Sequence, residues 1–119
     1  MPIPTLVILY VDRPEASARF YADLLGAEVA ESSPTFAMVP LRPGLMLGLW
    51  SRHTVEPAAA ASGGGEIAFT DDDVDASHAD WVARGIAILQ PPTVLDFGRT
   101  FTAADPDGHR LRVFTPRPG

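Results

Sequence analysis

The chain has 119 residues, 46% hydrophobic and 20% charged, which suits one globular domain with a real core and is too short for a multidomain enzyme. It has no cysteine, so disulfide frameworks, thiolate metal sites and cysteine nucleophiles are excluded; its net charge is −6 and its nine cations, all arginine, are too scattered for the basic face a nucleic-acid partner requires. No apolar run approaches the roughly 20 residues of a membrane-spanning helix, and residues 1–11 carry neither a basic leader nor a small-residue cleavage site, so the expectation is a cytoplasmic protein without a membrane partner.

In chain order, residues 6–11 form a β-rich run between Pro4 and Pro14 and predict a strand. After Pro14, Ala16, Phe20, Tyr21, Leu24 and Leu25 recur at helical spacing, and Gly26 stands where a C-cap glycine would. Residues 27–30, 35–39 and 45–50 then predict three short strands, separated by Ser-Ser-Pro and Arg-Pro-Gly turns. Residues 51–65, with Pro57, an alanine run and three successive glycines, predict a linker. Beyond it the order returns: a strand at 66–70, a helix at 75–84 ending before Gly85, and strands at 86–89, 99–103 and 111–114.

The chain therefore contains its own half twice, as two βαβββ modules of about residues 1–57 and 65–119 within a single domain of 1–119. Ala16-Ser17 with Tyr21 and Gly26 is echoed by Ala76-Ser77 with Trp81 and Gly85, and residues 44–50 align with 108–114. The expected fold class is α+β: two curved sheets, each backed by one helix, whose concave sides enclose a groove.

Side chains alternate across a strand, so each strand divides into a helix-facing and a groove-facing set. The uniformly apolar set is Val7, Leu9 and Val11; Leu47 and Leu49; Ile67 and Phe69; and Leu111 and Val113. These are the expected core. The complementary set is Leu6, Ile8 and Tyr10; Met46, Gly48 and Trp50; Glu66, Ala68 and Thr70; and Arg110, Arg112 and Phe114. Burying a charge without a partner is costly, so Glu66 and Arg112 are expected to face one another as an ion pair or to hydrogen-bond a ligand.

Residues 11–17 leading to Phe20-Tyr21 and Leu25-Gly26, together with Asp105-Pro106-Asp107-Gly108, resemble the vicinal oxygen chelate superfamily of glyoxalases, bleomycin-resistance proteins and extradiol dioxygenases, over essentially the whole chain. Within it, residues 96–101 and 105–109 and the Leu49-Trp50-Ser51 segment look closest to phenazine-antibiotic resistance proteins, which are similar to small proteins that sequester quinoxaline-type antibiotics. The superfamily's enzymes hold a divalent metal with four groove-facing side chains. Carried over, those positions are Leu6, Gly48, Glu66 and Arg112, of which only Glu66 is a ligand type. The metal site is read as lost and no cofactor is expected.

What the resemblance implies is metal-independent binding and sequestration of a planar aromatic antibiotic, conferring resistance or self-protection, by a homodimer. Trp50 is the expected stacking residue, its other reading being a core or dimer-interface side chain. Ile8, Tyr10, Met46, Gly48 and Phe114 are candidate pocket walls, with Phe97 and Arg99 near the groove mouth, where Arg99 suits a ligand carboxylate or, with Asp96, stabilises the turn. Trp81 is assigned to helix-to-sheet packing. His53, His78 and His109 read as solvated or turn residues, and Asp71-Asp72-Asp73 with Asp75 as helix capping rather than a calcium loop. The alternatives are a metal-dependent enzyme of the same fold, a lyase, isomerase or dioxygenase on a small oxygenated metabolite, and a binding subunit for another protein or carrier.

Overall fold

The computed structural model describes residue 1 and residues 3–59 and 61–117. Ala60, within the expected linker, and Pro2, Pro118 and Gly119, within the expected modules, lie outside the described residues. The chain divides into two compact units, residues 1–63 and 64–119, with the boundary in the glycine run. The fold class is α+β.

In the first unit, β1 (Leu6–Val11), α1 (Pro14–Leu25), β2 (Glu31–Ser32), β3 (Phe36–Arg42) and β4 (Leu45–Ser51) build a four-stranded sheet of order β1-β4-β3-β2. The β1–β4 pair is parallel and the other two are antiparallel. Pro14 starts α1 at a position where no backbone N–H is needed, and Gly26 ends it in the left-handed conformation at φ 63°. Pro14, Ser17, Ala18 and Tyr21 of α1 are buried, as are Leu9, Val11, Ala37, Val39, Leu47 and Leu49 of the sheet. Val7, expected in this core, is 41% exposed at the open start of β1.

The strand expected at residues 27–30 is not formed. The Ala27 N–H closes the end of α1 by donating to the Ala22 carbonyl at 2.9 Å. The chain rejoins the sheet at Ala30, whose N–H donates to the Met38 carbonyl, leaving only the two-residue β2.

The second unit repeats the plan with β5 (Glu66–Thr70), α2 (Val74–Ala83), β6 (Ala87–Leu95), β7 (Gly98–Ala104) and β8 (Arg110–Pro116), in the order β5-β8-β7-β6. Trp81 of α2 stands edge-on to Phe69 and Phe101, with ring centroids 5.8 and 5.2 Å away, so its packing role is as expected. The acidic run is spent on the helix start: Asp73 accepts from the Ala76 N–H at 3.0 Å, and Asp71 accepts from the Asp73 N–H and the Ser77 hydroxyl. β6 runs six residues beyond its expected end, through Pro91 and Pro92. It is an edge strand with register shifts at this point, where missing N–H groups are tolerated.

Two polar ties hold this unit. Asp105 accepts from the backbone N–H groups of Asp107 and His109 and pairs with His109 Nδ1 at 2.8 Å, both side chains being buried. His109 is thus an interior turn residue and not a solvated one. Arg99 makes a two-pronged contact with Asp75, 2.8 Å on each arm, joining β7 to the start of α2. The turn-stabilising partner of Arg99 is therefore Asp75, on the helix, rather than Asp96.

Two outcomes follow from this packing. Gly98 has φ 141° and a Cβ there would lie 2.0 Å from the Thr115 carbonyl oxygen, so Gly98→Ala should destabilise the protein by about 2–4 kcal/mol in urea unfolding; a loss below half a kcal/mol would refute the clash. The hydrogen bonds from Arg99 hold the Asp75 carboxyl below its ordinary range, so its contribution is complete at neutral pH and fades as pH falls through the lowered value. Asp75→Asn should therefore be less stable than wild type at pH 7, the gap closing below the ordinary carboxylate value of about 3.9. A gap unchanged across that range would show that the pair contributes through packing alone.

Candidate functional site

With a helix on one side of each sheet, the alternate side chains stand on a helix-free face. In the first unit the register aligns Leu6 with Met46, Ile8 with Gly48 and Tyr10 with Trp50 across β1 and β4. On the other side of β4, Trp50 is opposite Phe36, Gly48 opposite Met38 and Met46 opposite Pro40. The face is therefore apolar and aromatic throughout its centre. Leu6, Ile8 and Tyr10 are 37–40% exposed, while Met46, Trp50, Phe36 and Met38 are half-buried. Phe36 stands perpendicular to Trp50 at 5.9 Å and fixes the plane of the indole. The sequence-derived residues Ile8, Tyr10, Met46, Gly48 and Trp50 are thus brought together on one sheet surface.

Gly48 has a specific role there. A Cβ at this position would meet the Phe36 ring at 3.1 Å and Leu6 Cδ1 at 3.2 Å, so the glycine lets both side chains close over β4. Phe36 and Met38 were not among the sequence candidates. Alternation along residues 35–39 places both on the same face as Trp50.

The helix-free face of the second unit has different chemistry. Glu66, Ala68 and Thr70 on β5, Arg110, Arg112 and Phe114 on β8, and Thr100 and Thr102 on β7 share it by register. The expected pairing of Glu66 with Arg112 is present: Arg112 Nε donates to Glu66 Oε2 at 3.1 Å and Nη2 to Oε1 at 3.3 Å. The third arm, Nη1, donates to Thr100 Oγ1 at 3.4 Å, and that hydroxyl donates to the Val113 carbonyl at 2.9 Å. The guanidinium also lies 5.7 Å from the centre of the Phe97 ring, which stands perpendicular to Phe114 at 5.7 Å. Glu66, Arg112, Phe97 and Phe114 form one connected group, in which a guanidinium 16% exposed at its side chain is neutralised by Glu66 and held by Glu66, Thr100 and Phe97.

Arg99 does not belong to this group. It shares parity with Phe101 and Ala103 on the helix side of β7, and its guanidinium is engaged by Asp75. The resemblance places it near the groove mouth; the strand's alternation sends it to the helix side instead. His53, expected at the start of a linker, bonds Asp12 through Nε2 at 2.6 Å, beside Arg52. That hydrogen bond holds the Asp12 carboxyl below its ordinary range.

The residues at the superfamily's metal-ligand positions do not fit a divalent cation. Leu6 and Gly48 have no side-chain donor atom, and Arg112 is a cation whose partner is the carboxylate of Glu66. Among the described residues no three His, Asp or Glu side chains converge on a common point. No helix among them is long and apolar enough to cross a membrane.

Comparison with known proteins gives the family. The Glyoxalase/Bleomycin resistance protein/Dioxygenase superfamily matches residues 3–113. The phenazine antibiotic resistance protein EhpR of Enterobacter agglomerans is 32% identical over 116 residues, covering 92% of this chain and 89% of that protein. The solution structure of ATC0852 from Agrobacterium tumefaciens is 54% identical, covers 99% of this chain and 100% of its own, and superposes with a TM-score of 0.87. A glyoxalase/bleomycin resistance protein/dioxygenase from Nocardioides is 28% identical, over 100% of this chain and 86% of its own, with a TM-score of 0.81. With two four-stranded βαβββ sheets, and with relatives of that fold along its whole length, the chain belongs to the glyoxalase, bleomycin resistance protein and dioxygenase superfamily.

Proposed function

We propose that the chain binds a planar aromatic natural product, phenazine-like or quinoxaline-like, and protects a cell by sequestering it without a metal and without turnover. The observation that carries this reading is the helix-free face of the first unit, where Trp50, oriented by Phe36, stands among Tyr10, Ile8, Met38 and Met46. An apolar surface of this kind gains burial from a flat ring system, and stacking on the indole adds about 0.5–1.5 kcal/mol beyond burial. Met38 and Met46 adapt to the outline of different ring systems through their flexible thioethers. The printed name of the 32% identical relative, a phenazine antibiotic resistance protein, supports the same ligand class. A sequestering protein needs affinity only, and the engaged Glu66 and Arg112 side chains suit a fixed wall better than a proton donor and acceptor. The reading includes a homodimer in solution, which light scattering would register as twice the chain mass.

The test is calorimetric titration of the protein with phenazine, quinoxaline and bleomycin-type compounds, beside Trp50→Phe and Trp50→Ala. A planar drug should bind saturably, with Trp50→Phe weaker and Trp50→Ala weaker still by about tenfold, corresponding to the loss of both stacking and burial. Mass spectrometry should recover the drug unchanged. Failure of every planar compound to bind the wild type, or conversion of the drug on incubation, would overturn the sequestration reading.

A further inference from the structure

Two of the chain's three methionines, Met38 and Met46, stand on the helix-free face of the first unit. Both are half-buried, whereas Ala37, Val39, Leu47 and Leu49, on the helix side of the same two strands, are closed to solvent. The chain has no cysteine, so thioether sulfur is the only sulfur it offers to an oxidant. A peroxide that reaches the open face of this sheet therefore meets Met38 and Met46 without competition from a thiol.

The neighbours of the two thioethers decide what the oxidised form does. By register Met38 lies between Gly48 of β4 and Glu31 of β2, and Met46 between Leu6 of β1 and Pro40 of β3. None of these four carries a side-chain hydrogen-bond donor: Leu6 and Pro40 are apolar, Gly48 has no side chain, and the carboxylate of Glu31 only accepts. A sulfoxide is a polar acceptor. On an open face it bonds to water, but under an apolar ring it loses that water and finds no donor beside it in the register. The helix side of the sheet holds no methionine, so the core of the unit is untouched by the same chemistry.

We infer that Met38 and Met46 are an oxidation site for peroxides, and that their oxidation releases the ligand while the fold is kept. The inference rests on the drug-binding reading above and adds its regulation. In the step, the thioether sulfur attacks one oxygen of hydrogen peroxide: the O–O bond breaks, an S–O bond forms, sulfur gives up two electrons, and the other oxygen leaves as water with both protons. A flexible apolar group that follows the outline of a ring becomes a polar one that a ring desolvates.

The experiment treats wild type, Met38→Leu, Met46→Leu and the double variant with hydrogen peroxide, maps the added oxygen by peptide mass spectrometry, and titrates each with phenazine and quinoxaline before and after. Leucine conserves volume and takes no oxygen, so each variant is compared with its own untreated form. Treated wild type should carry one oxygen at each of residues 38 and 46 and bind about tenfold more weakly, with its urea midpoint unchanged. The single variants should lose part of their affinity on treatment and the double variant none. Methionine sulfoxide reductases with dithiothreitol should restore the wild type, and saturating phenazine should slow oxidation at both positions.

Unchanged affinity of the oxidised wild type would overturn the regulation and leave the sequestration reading standing. An equal loss in the double variant would do the same, because it would place the damage on another side chain. A fall in the urea midpoint along with the affinity would overturn the claim that the fold is kept. If no planar compound binds the untreated protein, the sequestration reading falls and the release of ligand falls with it, while oxygen at residues 38 and 46 in a folded protein would still support the oxidation site.

Discussion

The constraint on which this molecule depends is that a four-stranded sheet has two faces and each sheet here has one helix. The helix takes one set of alternate side chains, and those residues answer to packing: Leu9, Val11, Leu47 and Leu49 against α1, and Phe101, Leu111 and Val113 against α2 are buried and apolar. The other set is released from that requirement. What stands there is free to differ between the two halves of a repeat, and it does. The first unit places rings and thioethers on its free face, whereas the second places charges and hydroxyls.

The charged face remains compatible with a compact unit because Arg112 has a carboxylate and a hydroxyl as partners. A half-buried guanidinium is tolerated only with a partner for its charge and acceptors for its N–H groups. Glu66 supplies the first, Glu66 and Thr100 the second, and the Phe97 ring covers the guanidinium plane. That arrangement is possible because β5 and β8 run parallel in neighbouring register, which places a residue on one strand diagonally across from the charge on the other. The same commitment leaves Arg110 without an acid, so the electrostatic character of the face follows from which of two arginines the single carboxylate serves.

Much of this was legible in the chain as written. The pairing of Glu66 with Arg112 followed from parity and the cost of unpaired charge, and the packing role of Trp81 followed from its equivalence to Tyr21. The capping role of the acidic run followed from its place before a helix. The misreadings have physical causes as definite as these. The strand expected at residues 27–30 had β-compatible composition, but the Ala27 N–H was already taken by the end of α1. The strand expected at residues 86–89 continues through Pro91 and Pro92 because β6 is an edge strand, which only the sheet order shows. Of the two readings of His109, solvated or turn residue, the turn holds, and its burial with Asp105 overturns the solvated one.

The amino-acid sequence by itself determined the repeat, the α+β class and the division of each long strand into two faces, because these depend on spacing and on side-chain chemistry. Tertiary structure alone decided which residues from different strands meet. Phe36 comes to stand against Trp50 and the Phe36 ring closes over Gly48 through antiparallel register, which local sequence does not specify. Arg99 turns to Asp75 on the helix and away from the free face for the same reason: a side chain's direction follows from its strand's alternation, while its partner follows from what the fold packs opposite it.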